Sequence, residues 1–321
     1  MVTTSSPPMV RPARLHRPLL VITAVMGLLV FVGIGGAIFD DRELLGHPIW
    51  MKPLKFMISF AIYTGTLAWM LSLQTKAKRL GWWLGTIVAV GMAVETAIII
   101  GQVVVRGRLL HFNMSTPTDQ LVHNILATTI YLIWAAVLVM AIVLLFDKPG
   151  DRALRWSIRL ALLTTLGGML LGNLMFNPTA SQLRTEAETG ERPHMGAHTV
   201  GGDDGGGGLP IMGWNTDSGD LRIGHFLGIH SLQAIPLIAL ALVVLANRFP
   251  RLRSEGRRTA LVFIGAAAWL GLIWLTTWQA LHGEALIHPT APTLLAAGAL
   301  AAGTTLATTA VLVTKRRQSL D

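Results

Sequence analysis

Eight apolar blocks of about twenty residues punctuate the chain, at 18–39, 53–74, 81–105, 121–146, 157–177, 222–247, 259–280 and 293–314. Blocks of that length match a hydrocarbon core ~30 Å thick at 1.5 Å of helix rise per residue. Each reads as a helix, because only helices and closed barrels satisfy backbone polar groups in lipid. The runs are too continuously apolar for barrel strands. The pattern predicts an all-α fold, a polytopic membrane bundle of eight transmembrane helices over 18–314. The first run follows an arginine-bearing tail but is too long for a typical signal-peptide core, so it reads as an uncleaved anchor. Residues 1–17, with Ser5, Ser6, Pro7 and Pro8, are expected to be a disordered cytoplasmic tail. Residues 315–321 form the second cytoplasmic tail, and 178–221 a long outer loop. No convincing internal repeat is visible.

Composition sharpens this picture. The 321 residues are 52% hydrophobic and 13% charged, about half the charge of a soluble domain. An ordinary soluble enzyme and a disordered chain are excluded. There is no cysteine, which removes disulfides, iron–sulfur clusters, thiolate metal sites and covalently attached haem. A bound metal or haem would need His, carboxylate, amide or Met ligands.

The net charge of +9 resolves into an orientation signal. Of the 26 Lys and Arg residues, 18 fall in one alternating set of loops, including Lys76, Lys78, Arg79, Lys148, Arg152, Arg155, Arg159 and the run Arg248 to Arg258. The positive-inside rule places that set, and both termini, in the cytoplasm. The basic clusters are short loops with no binding fold, so nucleic acid is not an expected partner. Arginine outnumbers lysine and Ala and Gly abound, which points to the cytoplasmic membrane of a GC-rich bacterium. Nine of the ten histidines and 12 of the 17 acidic residues fall on the outer side. Chemistry is therefore expected there.

Several polar groups stand where lipid would penalise them. Glu95 lies near the middle of span 3, at a depth where an ionisable group costs roughly 2.5–3.5 kcal/mol. Gly91, Gln102 and Arg106 share its stripe, which leads to the outer surface. Glu95 is either a helix-securing acid or a proton-relay or ligand-binding group. Lys52 and Lys55 sit one turn apart at the outer start of span 2, flanking Pro53. They are snorkelling lysines or, with Arg106 and Arg108, an anion-attracting mouth.

Span 4 opens with Ser115, Thr116 and Pro117, a cap followed by a first-turn proline. Asp119 and His123 follow at i, i+4. A carboxylate there can orient the imidazole or simply pair with it. Span 6 carries Arg222, His225, His230 and Gln233 within an arc of about 140° at ~100° per residue. Gly224 and Gly228 leave room beside the rings, and Pro236 is expected to kink the helix just inside this cluster. These histidines are packing residues or ligands for a metal or haem.

Weaker signals complete the set. Asn173 and Asn177 end span 5, beside the GxxxG pair Gly168 and Gly172. Trp278 and His282 share a face in an interfacial belt. His194 and His198, followed by Asp203 and Asp204, form HxxxH without the glutamate of a zincin, and read as a flexible polar loop or a loop metal site. The glycines of 201–208 lack the GK[ST] of a phosphate loop.

The strings His198-Thr199-Val200-Gly201, Asp204-Gly205-Gly206, Gly208-Leu209-Pro210, Trp214, Gly219-Asp220-Leu221-Arg222 and His225-Phe226-x-Gly228-x-His230-x-x-Gln233 resemble a family of uncharacterised bacterial multi-pass membrane proteins. Lys52-Pro53-Leu54-Lys55-Phe56 and Trp278-Gln279-Ala280-Leu281 are similar too. The resemblance covers about 47–290 and implies the class without an activity. Eight spans with both ends inside also resemble haem A synthase in architecture, which implies haem-ligating histidines near outer helix ends. This chain departs from that pattern, with lysines in span 2 where a histidine stands and no loop cysteines.

The leading functional expectation is a haem- or metal-binding membrane oxidoreductase with its site at the outer face. His123, His225 and His230 would be ligands or acid–base groups, and Asp119 would orient His123. Lys52, Lys55, Arg106, Arg222 and Gln233 would hold a small anionic group, with Glu95 carrying protons below. The alternatives are a transporter or channel for a small anionic or lipid-like solute, and a sensor or assembly protein docking through 178–221.

Overall fold

The computed structural model describes residues 15–44, 46–110, 113–191, 194–202, 204 and 207–314. Most of both predicted tails, together with His111, Phe112, Arg192, Asp203, Gly205 and Gly206, lies outside the described residues. Among the described residues the architecture is helical, with ten α-helices and two minimal antiparallel hairpins. The helices are α1 (Arg17–Phe39), α2 (Met51–Ser72), α3 (Lys78–Ile99), α4 (Pro117–Leu145), α5 (Arg152–Leu171), α6 (Ala180–Thr189), α7 (Leu221–Ile229), α8 (Ser231–Ala246), α9 (Glu255–Leu281) and α10 (Ala291–Val313). The hairpins are β1 (Glu43–Leu44) with β2 (His47–Pro48), and β3 (Thr199–Val200) with β4 (Gly219–Asp220).

Seven helices are long and apolar enough to cross a membrane, and α7 with α8 makes an eighth if that bent pair counts as one span. Each matches one of the eight apolar blocks. Local chemistry sets their starts. Thr116 accepts the Asp119 N–H and Pro117 opens α4, as the sequence predicts. Asp151, Asp220 and His16 cap α5, α7 and α1 in the same way. Among the described residues the 178–221 loop contains one α-helix, α6, opened by a capping box between Thr179 and Gln182.

Two predicted helices depart from regularity. α3 runs on through a π-helical turn, Ile100–Val105, a wide turn that inserts an extra residue and re-aims the side chains beyond it. The expected kink at Pro236 is instead a break at His230, where α7 and α8 meet at 49°. Pro236 itself is accommodated within α8.

The spans assemble as two halves, α1–α4 and α5 with α7–α10. The neighbour pattern repeats: α1 packs on α2 as α5 packs on α7 and α8, α3 on α4 as α9 on α10, α2 on α3 as α8 on α9. The halves join through α4 with α5 and α2 with α8. One continuous core runs through both, with Leu19, Met26, Leu67, Val88, Ile133, Ile158, Leu162, Leu232 and Ile235 almost completely buried. This repetition of contacts accompanies no visible repetition of sequence.

The loops gather at two ends. At one, Thr75 and Lys76 meet Asp147, Arg258 meets Asp151, and Arg257 meets Thr314. This basic end holds both His16 and Thr314, the flanks of the described chain. At the other, the loop end, the hairpins, α6 and the 194–220 segment cover the helix ends. Gly219 lies so close to α9 that a Cβ there would come within 2.0 Å of the Ala280 carbonyl oxygen.

Candidate functional site

The loop end carries a layer of charged groups, and the ion pairs decide which of them are available. The Asp119 side chain is fully buried and holds both nearby arginines, Arg106 and Arg108, each at 3.2 Å. It also accepts from Thr116 and Gln102. Gln102 in turn accepts from Arg106 and donates to the Leu109 carbonyl. The π turn brings Gln102 and Arg106 to this position. Asp119 thus meets the arginines, Thr116 and Gln102, and no hydrogen bond joins it to His123 among the described residues. Arg106 serves as a counter-ion to Asp119, with its side chain still partly exposed. His123 packs edge-on against Phe176.

Arg222 is tied in a similar way. It bonds Asp220, a fully buried side chain two residues before it, through Nε and Nη2, and also donates to the Gly213 carbonyl. Lys55 donates to the neighbouring carbonyl, Met212, at 2.8 Å. Both cations thus clasp one tight turn, 209–214. In this turn Ile211 takes a positive φ of 66°, an outlier for a β-branched residue. His47, from the β1–β2 hairpin, reaches the same turn beside Gly208 and Gly213.

Lys52 differs from these. It is half-buried at the start of α2, and it makes neither a hydrogen bond nor an ion pair among the described residues. Its electrostatic neighbours are Arg222, Lys55 and Asp204. The cluster sits where the two halves meet. Lys52 and Lys55 open the second span of the first half, and Arg222 and His225, at the same i, i+3 spacing, open the second span of the other.

His198 and Asp204 close one side. The Asp204 carboxylate accepts the main-chain N–H groups of His198 and Thr199 and the His198 ring Nδ1–H. Burial pushes the His198 imidazole down to about 4; Asp204 opposes that shift, and the Lys52 and Arg222 charges add to it. Burial works against the Asp204 carboxylate too, but the His198 ring and main chain hold it well below the ordinary range. His198 is therefore neutral at pH 7 and adds no positive charge.

The other histidines are placed by hydrogen bonds. His230, at the break between α7 and α8, uses both ring nitrogens, one with Gln233 and one with Ser59. Its ring stacks on Phe226, which in turn meets Trp214. Gln233 passes the chain on to Thr66, so its amide is engaged by His230 and Thr66. His225 donates Nδ1–H to the Gly168 carbonyl of α5 at 2.8 Å. That fixes the tautomer and leaves Nε2 without a partner among the described residues. Among those residues no group of three or more His, Asp or Glu side chains is placed to hold a metal ion. His123, His225 and His230 are thus not gathered into one metal site.

Glu95 lies apart, buried in α3 with Oε1 unpartnered. Asn173 accepts from Tyr131, and His282 stacks on Trp278. Sequence reasoning missed the fixing roles of Asp220 and Asp204, and it missed His47. Asp220 was legible as an N-cap directly before a helix. Asp204 stood out only as one acid near His194 and His198, and nothing in its spacing marked it as the partner of the His198 ring and main chain.

No family model, curated protein or solved structure matches the chain.

Proposed function

We propose that the chain is an eight-span protein of a bacterial cytoplasmic membrane that binds a small anionic solute at its loop end for transport. The membrane reading is supported by the apolar surface the helices leave uncovered. Of the 23 residues of α10 only Thr293 is buried, and Leu294, Leu295, Leu306, Phe31, Phe39 and Trp274 are exposed. A soluble protein rarely exposes apolar patches beyond a few hundred Å². The arginine-rich loops all lie at the basic end, which the positive-inside rule puts in the cytoplasm with both termini.

The observation that carries the anion reading is Lys52. Its neighbour Lys55 is locked onto a carbonyl and Arg222 onto the Asp220 carboxylate and a carbonyl, while Lys52 beside them has no hydrogen-bond or ion-pair partner among the described residues. An anion would supply the missing charge and accept charge-assisted hydrogen bonds. The helix that carries Arg222, α7, breaks from α8 two turns further on, at His230, and discontinuous helices are a feature of transporter binding sites. The motif likeness to multi-pass bacterial proteins fits this reading. Uptake of labelled phosphate or succinate into proteoliposomes tests it. Uptake by the native protein that is lost in Lys52→Gln is expected; equal uptake by both, or by neither, removes the transport assignment.

A second reading, a haem- or metal-binding redox protein, is favoured by His225 alone, a half-buried side chain whose Nε2 has no partner among the described residues. An absorption spectrum of protein purified from cofactor-replete cells checks it. A Soret band lost in His225→Ala would support it, and a spectrum without one would remove haem.

A further inference from the structure

Glu95 is 3% exposed. No hydrogen bond or ion pair reaches it among the described residues, and Oε1 is wholly enclosed. Met92, Thr96 and Ile99 beside it on α3 are also buried. Three helices pack on α3, namely α1, α2 and α4, and none brings it a charge. α1 has no titratable residue after Arg17. On α2, Lys52 and Lys55 lie at the loop end, and Tyr63 donates to Met169. On α4, Tyr131 is turned to Asn173, and Asp119 and His123 are in the first two turns. A bare carboxylate here has no counter-ion among the described residues to offset its desolvation, which is among the largest costs in protein interiors.

An opening lies towards the loop end, its lining beginning at Ile98 and not including Glu95. A cleft of about 340 Å³ between α3 and α4 is lined by Ile98, Gln102, Val105, Arg106, Thr118 and Val122. Ile98 lies one turn from Glu95 on the same stripe, and Gln102 two turns away. Gln102 is itself joined to Arg106 and Asp119, which reach the loop-end surface.

We propose that Glu95 is an interior proton-binding site, a neutral carboxylic acid that exchanges its proton with the loop-end aqueous phase by way of the α3–α4 cleft. Its ligand is the proton, and the site stands whether or not the anion assignment above holds. A purely structural acid would be hydrogen-bonded to a partner helix, and none is present among the described residues.

Infrared difference spectroscopy of the purified full chain at neutral pH tests this. The expected result is a protonated-carboxyl C=O band that shifts in D2O and disappears in Glu95→Gln, a nearly isosteric change. Should that variant fold poorly, Glu95→Asp must move the band. Ile98→Trp, which fills the cleft, is expected to slow the D2O shift while leaving the band in place. Spectra of native protein and Glu95→Gln that coincide overturn the proposal, because the acid is then ionised. A band that never shifts in D2O overturns the exchange, and an unchanged rate in Ile98→Trp overturns the route.

Discussion

Alanine at Gly168 tests the tight approach of α5 to α7. A Cβ there would lie 2.3 Å from both Cα and the carbonyl carbon of Gly228, and one at Gly228 would lie 2.4 Å from the Gly168 Cα. Ordinary contact begins near 3.4 Å, so the two backbones must part by about 1 Å. No flexible side chain can swing aside, since both surfaces are main chain. Overpacking of this kind costs about 1–3 kcal/mol. The shift also stretches the bond from His225 to the Gly168 carbonyl, worth about 1 kcal/mol. Alanine returns about 0.8–1.0 kcal/mol of helix propensity. The net expectation is a loss of about 1–3 kcal/mol. The adjacent Gly167 is the matched control, because a Cβ there meets nothing within 4 Å. Gly167→Ala keeps only the propensity gain, so the two variants should differ by about 2–4 kcal/mol. Thermal unfolding followed by tryptophan fluorescence in one detergent reads the difference. Equal stability of Gly168→Ala and Gly167→Ala would refute the interhelix contact.

Other expectations concern charge. The His198 imidazole titrates near 4 when folded, below its ordinary 6.5, so its stabilising contribution is complete above pH 6.5 and drains as pH falls towards 4, by about 2 kcal/mol at pH 5. Native Tm should therefore fall more steeply than that of His198→Gln between pH 7.5 and 5, and parallel curves would contradict it. Asp119→Asn leaves two arginines without their buried counter-ion, so it should lower Tm more than Asp40→Asn, whose partner Arg42 is more than half exposed. The reverse order would show that the Arg106–Asp119–Arg108 group is not structural. Asp220→Asn should release Arg222 from the 209–214 turn, measured as faster amide exchange of Gly213 and Asn215 with the transmembrane helices unchanged.

The helices are legible in the sequence because their signal is redundant. A run such as 121–146 announces itself by apolarity, and Thr116 with Pro117 marks its start. The grouping of Arg257, Arg258, Lys76 and Arg159 at one end follows from loop charge alone. The site is less legible, because residue type does not reveal which charges are already satisfied. Asp119, at i, i+4 from His123, has the spacing of a partner. The π turn after Ile99 swings Arg106 into that place, and a one-residue change of helical period leaves no mark in sequence. Proline is the visible helix breaker, so sequence points to Pro236 for a break that falls at His230. The ring bonds to Ser59 and Gln233 accompany the actual break, and the first of them joins residues far apart in the chain. Lys52 and Lys55 are legible as a pair, but their meeting with Arg222 depends on how the two halves dock.

The central claim is that Lys52 awaits an anion. Thermal stabilisation by inorganic phosphate, at ionic strength held constant with chloride in a neutral detergent, tests it most directly. Each charge-assisted hydrogen bond is worth about 1.5–3 kcal/mol, so Lys52→Gln should weaken apparent binding about 10- to 100-fold. The account predicts a saturable rise in Tm for the native chain and little or none for Lys52→Gln. The same rise in both would show that phosphate acts elsewhere, and a repeat with succinate that also shows no Lys52 dependence would contradict the anion site.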